Sequence, residues 1–259
     1  MNSISAKLQA FERLLNIMDD LRAKCPWDKK QTIQSLRYLT IEEVYELSDA
    51  ILNEDFNAIK EELGDLFLHL VFYAKIAEEQ QQFDVADVLN TVCDKLITRH
   101  PHIYGNTKAD TEEEVKRNWE KLKLKEGKKS VLEGVPQSLP AMVKANRIQE
   151  KVKGVGFDWE NASQVWEKVL EEINELQQAV KQSDKKSMEQ ELGDVFFALI
   201  NYARFIGVNP EDALEKTNKK FIKRFQYLEQ KVKEKSKDLH AMSLDEMNVI
   251  WEESKQQDA

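Results

Sequence analysis

One fifteen-residue stretch occurs twice in this chain. "EELGDLFLHLVFYAK" (61–75) returns as "QELGDVFFALINYAR" (190–204), with eight of the fifteen positions identical. A repeat of this kind means that one supersecondary unit is used twice, which bounds the fold before any local propensity is consulted. Around it, Glu43, Glu46, Glu62 and Asp65 match Glu172, Glu175, Glu191 and Asp194, all four at one constant spacing. Upstream, "CPWDKK" (25–30) resembles "GFDWEN" (156–161), pairing Trp27 with Trp159 at a spacing of 132. Downstream, "DKLITRH" (94–100) resembles "KKFIKRF" (219–225) at a spacing of 125, and "EEVKRNWEKLK" (113–123) resembles "DEMNVIWEESK" (245–255). The order is the same in both halves. The chain therefore reads as two related units, 1–128 and 129–259. They join through "EGKKSVLEGVPQSLP" (126–140), whose two Gly and two Pro are the composition of an exposed connection. Such a pair makes either two small domains or one pseudo-symmetric bundle.

The expected fold class is all-α, as tandem helical bundles. Eight Gly and five Pro in 259 residues leave few tight turns for a many-stranded sheet, and no stretch shows a strand's period of two. Asp55 is the expected N-cap of a helix running to about Glu79, and Asp84 of the next, which ends by Pro101. Asp184 follows Asp55 at the spacing of the acids and takes the same role, while Asn209-Pro210 is an N-cap followed by proline at the first helical position. A net charge of −9 argues against nucleic acid as the main partner. The most apolar run, around 63–77, holds Asp65, His69 and Lys75, so no membrane span is expected. Cys25 and Cys93 have no zinc spacing and no secretory leader precedes them, which points to the cytoplasm.

The acids carry the functional question. Glu43 and Glu46 lie three apart on one helical face, as do Glu62 and Asp65. The separation from Glu43 to Glu62 equals that from Glu172 to Glu191. Two antiparallel helices joined by a short turn would bring four carboxylates together in each unit. The plain alternative is a solvated helix face, with Thr40 and Glu43 forming a capping box. Position 169, the counterpart of Thr40, is Val, so that alternative does not account for Glu172. The helices that follow the acids are apolar on nearly all sides, which places their acidic first turns in an interior or cleft. Clustered carboxylates there need a cation, and hard oxygen donors suit Mg²⁺ or Mn²⁺, which usually arrives with a phosphate substrate. Gly64 and Gly193 would allow a neighbouring helix to approach, or serve packing alone. A di-iron bundle needs Glu-x-x-His on two helices, and here the third position after Glu62 and Glu191 is Asp.

At these residues the sequence resembles the MazG family of nucleoside triphosphate pyrophosphohydrolases, in its two-domain form. Its pattern of ExxE, a spacer and ExxD is read as Glu43/Glu46 with Glu62/Asp65, and as Glu172/Glu175 with Glu191/Asp194. "CPWD", "GFDW", the "RHPH" of 99–102 and the "SLPA" of 138–141 extend the likeness over nearly the whole chain. The resemblance implies an enzyme that hydrolyses nucleoside triphosphates to the monophosphate and pyrophosphate with Mg²⁺ on the four acids, for house-cleaning or regulation of the nucleotide pool. It implies Glu171 or Glu42 as proton acceptor or outer support, Lys220 and Arg224 as phosphate contacts, and Lys168 and Trp251 near the nucleotide. Lys95 and Arg99 are the N-terminal counterparts of Lys220 and Arg224. Thr98 stands where the second unit has Lys223, and Pro101 ends that helix early. Together with the family's habit, this makes 129–259 the expected main catalytic unit. It also implies a homodimer, which the excess of apolar helix surface favours independently. A metal- and nucleotide-binding regulatory module with little turnover is the alternative reading.

Overall fold

The computed structural model describes residues 1–109, 111, 114–115, 118–119, 130–235 and 237–256, and among them every regular element is helical. Besides two short 3-10 turns, Asp28–Lys30 and Leu239–Ala241, these are in order α1 (Ile4–Lys24), α2 (Ile33–Leu52), α3 (Phe56–Glu79), α4 (Val85–Arg99), α5 (Pro101–Tyr104), α6 (Ala141–Lys153), α7 (Ala162–Gln182), α8 (Lys185–Phe205), α9 (Pro210–Glu234) and α10 (Leu244–Gln256). The chain divides into compact units Met1–Val115 and Lys116–Ala259. That division falls ahead of the 128/129 join expected from sequence, and positions 120–129 lie outside the described residues.

The caps explain why the helices begin where they do. Asp55 accepts from the N–H groups of Asn57 and Ala58 at 2.9 and 3.1 Å, and Asp184 accepts from Lys186 and Ser187. Asp84 forms a reciprocal box with Asp87, and Asn209 caps α9 with Pro210 at its first turn. One expectation changes. The capping box of α2 is Thr32 with Ser35, so Thr40 lies inside the helix, where its hydroxyl meets the Leu36 carbonyl at 3.0 Å and the Tyr73 hydroxyl at 2.7 Å. Thr40 and Glu43 therefore form no cap, and the capping-box explanation for Glu43 is removed.

The hairpins α2–α3 and α7–α8 are the centres of the two units, and they share one turn. Glu54 (φ 55°) and Ser183 (φ 56°) both adopt the left-handed conformation just past a helix end. In both, the next residue's N–H returns to a carbonyl five positions back, Asp55 to Ala50 and Asp184 to Ala179. Neither residue is glycine, so each bears the steric cost of a Cβ in that region. Ser183→Gly is expected to stabilise the protein by roughly 0.5–1 kcal/mol, read from denaturant midpoints. A destabilised variant would mean that the serine side chain compensates for its backbone.

The drift in repeat spacing also has a structural cause. α3 and α8 begin at the same spacing as the acids, yet α3 is 24 residues long and α8 only 21. About one extra helical turn, plus one residue in the following connection, shortens the spacing by the time α4 and α9 begin.

In the first unit Met18, Leu36, Val71, Phe72 and Ile76 form the buried core between α1, α2 and α3. Arg22 pairs with Glu79 and donates to the backbone carbonyls of Asp28 and Gln31, fastening the "CPWD" turn. In the second unit Arg204 on α8 pairs with Asp158 through two nitrogens, fastening "GFDW". Gln149 of α6 is buried and donates to the Phe197 carbonyl at 2.8 Å.

α9 continues well beyond Arg224 and, through Leu228 and Val232, packs against Ile250 and Trp251 of α10. The start of α10 is held by Glu246, which accepts from Lys237 at 2.8 Å and from the Ser243 N–H at 2.9 Å. Lys237 first, then the Ser243 donors, hold the Glu246 carboxyl down at about 2, against an ordinary 4.5. The unfolded chain thus binds the proton more readily, so this contribution is complete above pH 4.5 and is lost as pH falls toward 2. Hydrogen exchange across 244–256 should accelerate in that window beyond its intrinsic pH dependence. A flat profile would count against the anchor.

Candidate metal and nucleotide site

Each hairpin delivers an acid cluster. Along α7 the buried residues Val165, Val169, Glu172 and Ala179 recur at helical spacing, so Glu172 occupies a place on the inward stripe where an apolar side chain is expected. It is only 6% exposed. Carboxylate oxygens of Glu172, Glu175 and Glu191 all lie within 4.8 Å of one another, and those of Glu43, Glu46 and Glu62 do the same in the first unit. Three of the four acids expected in each unit thus converge. Asp65 and Asp194 fall outside these sets. Each lies one helical turn beyond its glutamate and has one methylene less with which to reach back. Asp65 is still close enough to act on Glu43.

The electrostatics are those of crowded anions. Burial first, then Asp65, Glu46 and Glu62, push the Glu43 carboxyl up from its ordinary range. Loss of hydration among the packed acids, then Glu172 and Glu191, push Glu175 up, with Lys168 opposing. The donor set is all carboxylate oxygen on rigid helices, which is the chemistry a hard divalent cation requires. One positive group already meets it: the Lys168 ammonium lies 2.6 Å from Glu172 and 2.9 Å from Glu171. Glu171, then Glu172, hold Lys168 charged above its ordinary range. Glu171 is therefore engaged as an ion-pair partner.

The remaining expected residues are placed as follows. Lys220 is exposed on α9 and Arg224 is half-buried one turn on; Lys95 and Arg99 lie on α4. Trp251 packs against the Leu228–Val232–Ile250 cluster, with its ring 5.0 Å from that of Phe221. The glycine expectation is corrected. A Cβ built on Gly64 or Gly193 meets nothing within 4 Å, so no described helix of its own unit makes contact there. The Arg204–Asp158 pair was not foreseen, because 46 residues separate its partners. The Lys168 pairings were legible, since three- and four-residue spacings to Glu171 and Glu172 put them on one face.

The model of the MazG nucleotide pyrophosphohydrolase domain matches this chain twice, at residues 31–104 and 161–228. The chain belongs to the MazG family. Both MazG matches include one acid cluster. The relative from Escherichia coli K12, named nucleoside triphosphate pyrophosphohydrolase, is 40% identical over 97% of this chain and 99% of its own length. A Thermotoga maritima MazG protein, named nucleoside triphosphate pyrophosphohydrolase/pyrophosphatase, is 40% identical over 95% of each chain. YabN of Bacillus subtilis is 42% identical over 95% of this MazG chain, which spans 52% of YabN. A crystal structure of a MazG-related protein from Thermotoga maritima matches 44% of this chain and 98% of its own, at 29% identity and with a TM-score of 0.40.

Proposed function

We propose that this MazG-family chain hydrolyses nucleoside triphosphates to the monophosphate and pyrophosphate, using Mg²⁺, with Mn²⁺ as a substitute. The observation that carries the reading is the convergence of Glu172, Glu175 and Glu191 within 4.8 Å, with Glu172 buried on an otherwise apolar stripe. Near-full-length similarity to proteins named nucleoside triphosphate pyrophosphohydrolase supports it.

Glu172, Glu175 and Glu191 would hold the ion, with Asp194 one turn on. When bound, Mg²⁺ supplies screening of phosphate charge and an acidified water. Glu171, beside the ligands but outside their set and paired with Lys168, is the carboxylate that would take a proton from that water. Lys220 and Arg224, four apart on α9, would meet the departing pyrophosphate. Trp251, half-buried beside Phe221, offers a ring edge to the base. The second unit is the main catalytic one in this reading, because it keeps the full basic row of α9. The first unit carries the same acids without it. A cytoplasmic role in nucleotide-pool house-cleaning fits this substrate, the two free cysteines, and the lack, among the described residues, of any helix long and apolar enough to cross a membrane.

The test is product analysis. The purified protein, with common ribo- and deoxyribonucleoside triphosphates and Mg²⁺, should release pyrophosphate and monophosphate, and EDTA should stop it. Orthophosphate as the first product, or no turnover with any nucleotide, would sink the reading.

We also propose a homodimer. Leu192, Phe196 and Leu199 line one face of α8 and are exposed, as are Leu63, Phe67 and Leu70 at the matching places of α3. Phe196 is 53% exposed and Phe67 54%, beside glycines with open space above them. A second copy is the simplest cover for such surface. Light scattering should give twice the chain mass, falling to one chain in Phe196→Glu with helical circular dichroism retained. A monomeric wild type removes the proposal.

A further inference from the structure

The two acid clusters differ at the position one helical turn before their first glutamate. Lys168 stands one turn before Glu172 and pairs with its carboxylate at 2.6 Å. The matching position in the first unit, at the spacing that relates the acids, is Leu39. Leu39 packs against the core formed by Leu36 and Phe72, so Glu43 has no lysine at that place. The first cluster is thus three convergent carboxylates whose repulsion is borne by Glu43, while the second has an ammonium against its most buried acid.

We propose that Lys168 is a built-in competitor for the divalent ion at the C-terminal site: its ammonium must leave Glu172 before that carboxylate takes a metal, whereas the N-terminal site takes the metal without displacement. This rests on the metal-dependent reading above. The physical basis is short. An ammonium and a divalent ion drawn to one carboxylate repel each other over a few ångströms, and Glu172, at 6% exposure, has little water to separate them. The ammonium is not trapped. Its side chain is 35% exposed and Glu171, at 2.9 Å, is a second partner toward solvent. Once off Glu172 it is a cation beside the metal site, placed to meet an anionic ligand. Metal alone therefore binds the C-terminal site weakly, and metal with a polyphosphate binds it well, because the anion gives Lys168 a new partner. The N-terminal site lacks this coupling. The two clusters, alike in their acids, would fill in order as metal rises, the first unit before the second. Lys168 acts here through Glu172 as a positioning residue.

The test measures metal alone, without nucleotide. Mn²⁺ is titrated into the full-length protein and the free ion followed by electron paramagnetic resonance. Wild type should show a tighter class of sites that disappears in Glu43→Gln and a weaker class that disappears in Glu172→Gln. In Lys168→Met the weaker class should tighten by at least about tenfold, while the tighter class is unchanged. Lys181→Met, which removes a charge elsewhere on α7, should leave both classes within about twofold. Circular dichroism and the melting temperature confirm that each variant is folded. If Lys168→Met leaves the weak class unchanged, or weakens it, Lys168 is not a competitor and the proposal falls while the hydrolytic reading stands. If Lys181→Met tightens the weak class equally, the effect is net charge and the proposal also falls. If neither cluster takes Mn²⁺ in any variant, the metal-dependent reading falls and this proposal with it.

Discussion

Glutamine in place of Glu172 is expected to lower kcat/KM for a nucleoside triphosphate by about 10³-fold or more, with the fold intact. The substitution keeps the shape of the side chain and removes the charge that a divalent ion needs most. Glu172 is the buried member of its cluster, so nearby water cannot substitute for it. The melting temperature should hold or rise, since the variant relieves repulsion from Glu175 and Glu191 and leaves Lys168 paired with Glu171. The matched variant Glu43→Gln should cost less than about tenfold, because the second unit carries the complete set of acids and cations. Should the two variants exchange these outcomes, the main active unit is the first. Should both remain fully active, the acid clusters are not the site.

Arg204→Met is expected to destabilise the protein by roughly 3 kcal/mol. The Arg204 side chain is 11% exposed and that of Asp158 18%, so the paired side chains are largely shielded from water. Arg204 also donates to Asn201 at 2.7 and 3.1 Å, and its guanidinium lies 4.6 Å from the Phe205 ring centroid. Losing the arginine leaves a carboxylate shielded from solvent with no cation, and it frees the "GFDW" turn from α8. The midpoint of thermal unfolding should fall by roughly 6–10 °C. Adding Asp158→Asn should recover a large part of the loss, because the uncompensated charge goes with it. If the double variant is as unstable as the single, the pair matters through packing and not through charge.

Much of this was legible in the residues. Asp55, Asp84, Asp184 and Asn209 are short polar side chains standing immediately before apolar periodicity, and a cap is a local event that needs no tertiary information. The facing of the acids followed from two equal separations across short turns. What failed depended on three-dimensional surroundings. Thr40 looked like a cap because it precedes an i+3 glutamate, but Thr32 and Ser35 had already started the helix two turns earlier. Gly64 and Gly193 looked like contact points, and in the single chain they face open space. The turns at Glu54 and Ser183 escaped notice because the left-handed position carries no glycine to mark it. Asp194 and Asp65 match the motif by spacing and lie one turn beyond the three convergent glutamates of each unit.

The extra turn of α3 sets a gauge. From Asp65 to the end of its helix at Glu79 is three residues further than from Asp194 to Phe205. At ~1.5 Å per residue, the corner from which the basic helix departs stands ~4.5 Å farther from the acids in the first unit. Lys95 and Arg99 sit at the same places along α4 as Lys220 and Arg224 along α9, so the two helices carry their cations from different depths below the same carboxylates.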